Sequence, residues 1–221
     1  MDAFTFSALL DPASLAVVLG GTLLATLLRC GRTGWQAAAG AATQLLRPRF
    51  TYENARAKVA AQVDEIRSDG VLRAHPVTSE DAEIDEATAA LIKHRSIAAL
   101  EATHQRHAQM RRRRRQVAEE TLAQAGDLAP VFGLAGTLLA LSQLPADGLA
   151  SGDMAATVAS AVLTTLYGLL CAHFMFYPLA RLIERRAEQE EEERQHLFDW
   201  LSQQIAGVVP GGPAVLAGAA A

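Results

Sequence analysis

Hydrophobic residues in this 221-residue chain gather in three long runs, with polar and charged residues filling the stretches between them. Residues 128–146 carry no charged side chain, and neither do residues 154–180. Roughly 20 apolar residues are enough to cross a bilayer as a helix, the only single-segment structure that satisfies its own backbone there. Each run therefore predicts a membrane span. The short polar loop between them, with Asp147 and Asp153, makes the two spans antiparallel neighbours. A further apolar run, residues 12–28, lies between Asp11 and Arg29. Asp11 suits a helix cap and Pro12 the first turn. No basic residue precedes this run, so it does not read as a secretory signal. Three spanning helices are expected.

Charge then sets the orientation. Arg29, Arg32, Arg47 and Arg49 follow the first run, Arg111 to Arg115 precede the second, and Arg181, Arg185 and Arg186 follow the third. The loop of residues 145–153 has no Lys or Arg. Basic flanks stay in the cytoplasm, which puts the N-terminus and the short loop outside. The chain divides into an N-terminal segment with the first span (1–29), a cytoplasmic helical region (30–127), the paired spans (128–180), and a cytoplasmic helix with a tail (181–221). The expected class is an all-α membrane protein with long cytoplasmic helical extensions.

Between the spans, residues 30–76 read as a connection broken at Gly34, Gly40, Pro48, Gly70 and Pro76. Within it, Tyr52 to Ile66 predicts an amphipathic helix, with Val59, Val63 and Ile66 at helical spacing. No Gly or Pro occurs from residue 77 to residue 125. One long helix, capped by Thr78 or Ser79, is expected to run from there into the second span. The third span is expected to continue past Pro178 to about Ile205. The Gly-, Pro- and Ala-rich tail from Gly207 reads as disordered.

The net charge of −4 hides a segregated pattern. The runs Arg111–Arg115 and Glu190–Glu193 fall at comparable distances from the membrane on neighbouring helices, so Arg115 and Glu193 could face each other within or between subunits. Orientation and contact with anionic lipid is the first reading of the arginines, an ion-pair network of Arg111, Arg115, Glu190 and Glu193 the second. Nucleic acid comes last, since no aromatic residues interleave. Cys30 and Cys171 are poorly placed for a disulfide and read as packing residues. No metal-ligand pattern, nucleophile constellation or phosphate loop supports an enzyme. Gly133 and Gly136 lack the strand before and the Lys after that a nucleotide loop needs.

Candidate chemistry lies in the paired spans. Ala129, Gly133, Gly136 or Thr137, and Ala140 form one helical stripe. Thr157, Ala161, Thr164 or Thr165, Gly168 and Ala172 form another. Small residues let helices approach closely in lipid, and packing alone is the common role of such stripes. Thr137 and Thr165 come near mid-membrane, where a hydroxyl can bind its own helix carbonyl or line a polar path. Neither span holds an Asp, Glu, Lys or Arg. His173, about two turns from the cytoplasmic end, reads first as a packing residue. Any carboxylate in an ion path must come from another chain.

The motifs APVFGLAGTLLAL and TTLYGLLxAxxxxxPLA closely resemble the MotA/TolQ/ExbB proton channel family, with a MotA-like flavour. DPASLAVVLGGTLLATLL resembles that family's preceding membrane helix, and RSDGVL a segment of its cytoplasmic region. The resemblance implies a homopentameric ring around two helices of a single-span partner similar to MotB, TolR or ExbD, which brings the proton-binding Asp. It implies a bacterial inner-membrane location, no cofactor, and H⁺ as the transported ion with Na⁺ as the alternative. Thr137, Thr164 and Thr165 would line the ion path. Pro130 and Pro178, with Gly133, Gly136 and Gly168, would serve conformational change. The chain starts where MotA would have its second helix, which gives it three spans. A non-conducting scaffold that recruits partners is the competing reading.

Overall fold

The computed structural model describes residues 11–69, 81–143 and 153–207. Among these, every regular element is helical: α1 (Pro12–Gln44), α2 (Tyr52–Asp69), α3 (Ala82–His94), α4 (Ile97–Ser142), α5 (Asp153–Leu170), a π-helical turn (Cys171–Phe176) and α6 (Tyr177–Ile205). Three helical stretches are long and apolar enough to cross a membrane: α1, α4, and the continuous run from Met154 to Ile205. Thr78 and Ser79, most of the outer loop and the tail beyond Gly207 lie outside the described residues.

The residues divide into two compact units, and α4 and α6 each lend a part to both. The first unit joins residues 11–46 to residues 115–185. Asp11 caps α1, accepting from the Ala13 N–H at 3.1 Å, and Pro12 occupies the first turn. This helix runs on to Gln44, well past the expected end near Leu28. Gly34 and Gly40 stay inside it; the interruption falls instead at Gly31, whose φ of 67° is open to glycine at little cost. Gly34 packs close to Thr121, where a Cβ would come within 2.6 Å of the hydroxyl, so the missing side chain is what lets the two helices meet there.

Burial in this unit is the reverse of a water-soluble fold. Thr22, Thr26, Ala129 and Ala172 are fully buried, while Leu28, Leu138 and Phe174 are at least 70 % exposed. Lipid is as apolar as leucine, so helices here gain by close backbone contact, and large side chains can face outward at no loss. Thr26 donates to the Thr22 carbonyl at 2.7 Å, and Cys30 donates to Gln124 at 3.2 Å. Leu122, Ala125, Phe176 and Ile183 pack together with Ala38. Both cysteines are free.

The second unit joins residues 47–114 to the chain from Arg186 onward, and its core obeys the opposite rule. Val59 and Val63 of α2, Ile84 and Leu91 of α3, Leu100 of α4 and Leu197, Leu201 and Ile205 of α6 form one apolar core. Each such side chain contributes about 1.5–3 kcal/mol on leaving water. α2 begins at Tyr52 as expected and extends to Asp69.

The single long helix expected from residue 78 onward is two helices. α3 stops at Arg95, which takes a left-handed conformation (φ 51°) and donates its N–H to the Leu91 carbonyl at 2.7 Å. Lys93 and His94 complement the negative end of α3. Ser96 precedes α4 and accepts from the Ala99 N–H at 3.1 Å. The gain comes from folding α3 back along α4, which buries Ile84, Ala87 and Leu91 that a continuous rod would leave in water. α6 runs to Ile205 as expected, but the turn feeding it is π rather than α.

Candidate functional site

The small-residue stripes of α4 and α5 meet each other directly. A Cβ built on Gly168 would lie 2.6 Å from the Ala129 carbonyl oxygen and 3.1 Å from the Cα atoms of Gly133 and Pro130. One on Gly133 would lie 2.9 Å from the Thr164 carbonyl oxygen and 3.2 Å from the Thr165 Cα. Gly136 sits over the Thr164 side chain, where a Cβ would be 3.0 Å from its neighbour. Main chain therefore touches main chain along this seam. Pro130, Gly133, Gly136, Thr164, Thr165 and Gly168 are brought together, whereas Pro178 lies farther along the helix.

The three candidate hydroxyls are not equivalent. Thr164 is 3 % exposed and donates to the Ala161 carbonyl at 2.7 Å, so it is a packing residue inside the seam rather than part of an outward wall. Thr137 is half-buried and bonds its own helix, at 2.6 Å to the Leu134 carbonyl. Thr165 is half-buried too, and its hydroxyl has no hydrogen-bond partner among the described residues. In a membrane-length helix such a hydroxyl remains available to a polar group.

Sequence reasoning missed how the two prolines are supported. Pro130 lies inside α4 without breaking it, and lacks an N–H to offer the Gly126 carbonyl. Gly126 lies directly under the Tyr177 ring, where a Cβ would come within 2.7 Å. The Tyr177 hydroxyl donates to Asp127 at 2.6 Å. Tyr177 in turn immediately precedes Pro178 and closes the π turn, its N–H donating to the Ala172 carbonyl. The wide turn makes room for a proline whose ring would otherwise crowd the carbonyl four residues back. An aromatic residue before a proline was the available signal. His173 lies in this turn, exposed and 5.5 Å from the Tyr177 ring, rather than packed inside.

The charged residues find partners other than those expected. Arg111 bonds Glu83, buried in α3, and Glu191 at 3.0 Å. Arg115 pairs with Glu119 on its own helix, Glu190 with Arg186, and Glu193 accepts from the Tyr52 N–H at 2.8 Å. Glu83 also bonds Arg194 at 2.8 Å, and Arg194 reaches Asp81 at 2.7 Å. Burial alone would raise the Glu83 carboxyl. The His104 bond and the charges of Arg111 and Arg194 outweigh it and hold this acid below its ordinary 4.5. Arg112, Arg113 and Arg114 stay exposed.

Comparison with known proteins follows the same lines. The MotA/TolQ/ExbB proton channel family matches residues 75–196. YtxD of Bacillus subtilis is 36 % identical over 106 residues, which make up 48 % of this chain and 35 % of that protein. The chemotaxis protein PomA of Vibrio alginolyticus is 34 % identical over 74 residues, or 34 % of this chain and 29 % of PomA. The aligned stretches thus span about a third of these relatives' length. Among solved structures, a chain of the flagellar MotAB stator complex from Bacillus subtilis superposes with a TM-score of 0.77 at 19 % identity, covering 92 % of this chain and 82 % of that one. A chain of C. jejuni MotAB gives 0.77 at 17 %, covering 90 % and 80 %.

Proposed function

Since the chain belongs to the MotA/TolQ/ExbB proton channel family, we propose that it is the ion-conducting, force-generating subunit of a rotary complex driven by the proton-motive force. Five copies would form a ring around two helices of a single-span partner of the MotB, TolR or ExbD kind. That partner supplies the aspartate that carries the proton. The likeness to chains of MotAB stators supports a partner and an oligomer of this sort. The basic flanks support an inner-membrane orientation with the N-terminus outside and residues 30–127 in the cytoplasm. Few polar groups in the spans favour H⁺ over Na⁺.

The observation that carries the reading is the Thr165 hydroxyl, half-buried and without a hydrogen-bond partner among the described residues, in a seam where Thr164 and Thr137 are spent on their own helices. A carboxylate arriving from outside the chain would find its donor there. Thr137 can turn outward once it releases the Leu134 carbonyl. In this scheme protonation of the foreign carboxylate near Thr137 and Thr165 removes its hold on one subunit, and the ring advances to the next. Pro130, Pro178 and the π turn let the inner ends of the helices change shape during that step. No residue of the chain is given a covalent role.

Thr165→Val keeps the shape and deletes the hydroxyl. Coexpressed with the partner and reconstituted in vesicles, the variant is expected to assemble normally and lose proton flux. Flux at the wild-type level rejects the assignment.

A further inference from the structure

At one level of α4 and α6, Arg112, Arg113 and Arg114 face outward, and so do Glu188 and Glu192. None of the five has a hydrogen-bond or ion-pair partner among the described residues. The charged groups around them are engaged. Arg111 bonds Glu83 and Glu191, Arg115 bonds Glu119, Arg106 bonds Glu86, and Glu190 bonds Arg186. The Arg111–Glu191 bond, 3.0 Å long, ties α4 to α6 at this level, and each of the unpaired charges lies within one turn of it on its own helix.

Direction separates the two sets. A helix turns about 100° per residue, so Arg113 stands about 200° around α4 from Arg111 and is turned away from its own α6. Glu188 and Glu192 stand about 60° and about 100° around α6 from Glu191, on a single face. Asp199 continues that face and Arg185 precedes it, which gives three acids to one base. The basic face and the acidic face of one chain therefore look to different sides, and only a second molecule can join them.

Lipid does not suit the arginines. Leu128, where the uncharged run begins, lies 15 residues beyond Arg113, about 22 Å along α4. The potential of an anionic leaflet fades over a Debye length, about 8 Å at physiological salt. A second copy fits better. Copies inserted in the same direction are related by an axis normal to the bilayer, which keeps every group at its own depth. Arginines and glutamates at one level can then come opposite each other. A contact between two different faces repeats head to tail until it closes into a ring.

We propose that the Arg112–Arg114 face of α4 docks on the Glu188–Glu192 face of α6 in the adjacent copy, a cytoplasmic contact that fixes which face of one copy meets the next. It presupposes the ring proposed above and is independent of ion conduction.

The test is thiol cross-linking in native membranes of the full-length chain carrying both Arg113→Cys and Glu192→Cys, with Cys30→Ser and Cys171→Ser removing the native thiols. A short bifunctional maleimide is expected to give a ladder of species beyond the dimer. Arg113→Cys chains coexpressed with Glu192→Cys chains are expected to stop at the dimer. Adding Arg112→Glu and Arg114→Glu to the doubly substituted chain should cut the ladder at least about tenfold, and Glu188→Arg on top of these should bring it back. A complex that is oligomeric by native mass spectrometry yet gives no ladder, or a ladder indifferent to the reversals, overturns the proposal and leaves the ring standing. A chain that is monomeric by mass removes both. An adduct of the Arg113→Cys chain with a different protein gives the basic face to that protein and overturns the contact as well. So does shielding of the same thiol by anionic but not neutral lipid in nanodiscs.

Discussion

Gly168→Ala tests whether the seam between α4 and α5 is set by main-chain contact. The added methyl would stand 2.6 Å from the Ala129 carbonyl oxygen and 3.1 Å from two Cα atoms, Gly133 and Pro130. Non-bonded carbon contacts settle at about 3.5–4.0 Å, so the helices must separate by roughly half an ångström or more. None of the obstructing atoms belongs to a flexible side chain. Overpacking of this kind costs about 1–3 kcal/mol. Alanine in place of glycine returns roughly 0.8–1.0 kcal/mol of helix propensity. The net expectation is a loss of up to about 2 kcal/mol, together with a wider gap at Thr165 and reduced flux. Gly20→Ala is the control, because a Cβ there meets nothing within 4 Å. It collects the propensity gain and no clash. Thermal unfolding of both variants in detergent, beside the wild type, separates the two effects. Equal stability of Gly168→Ala and Gly20→Ala would falsify close main-chain packing as the basis of the seam.

Two further expectations concern residues that support the site. Tyr177→Phe keeps the ring over Gly126 and deletes only the bond to Asp127, so it should cost no more than about 1 kcal/mol, whereas Tyr177→Ala uncovers the gap at Pro130 and should cost more; equal melting shifts for the pair would show that the ring contact is immaterial. Glu83 is held below its ordinary 4.5, so its stabilising contribution is complete above that value and is lost as the pH falls through the lower, folded-state one. Glu83→Gln should flatten acid unfolding in that range and cost about 3 kcal/mol or more at neutral pH, by leaving Arg111 and Arg194 short of a counter-charge.

The membrane-length helices were legible because lipid imposes a simple demand: an uncharged run of sufficient length, with small residues where another helix must come close. Ala129, Gly133, Gly136 and Gly168 met it in plain view. The break at Arg95 was hidden because arginine is no helix breaker. Only the burial of Ile84 and Leu91 makes the turn worth its left-handed residue, and that is a property of the folded unit. Arg111 was recognised as one end of an ion pair, but its main partner, Glu83, lies on a helix that the expected continuous rod would have carried away. Thr164 and Thr165, adjacent in sequence, differ by which side of α5 faces α4. Periodicity narrowed that choice without making it.

Gly31 gives the first helix a measured length. From Pro12 to the residue before this glycine, a helix rising 1.5 Å per residue covers about 28 Å, close to the roughly 30 Å hydrocarbon thickness of a bilayer. The helix is thus kinked about one hydrocarbon thickness from its start, at a spot where a Cβ would meet nothing within 4 Å. On either side of the joint the chain keeps to α4, with Cys30 bonded to Gln124 and Gly34 against Thr121, so one helix serves both the apolar layer and the polar stretch beyond it.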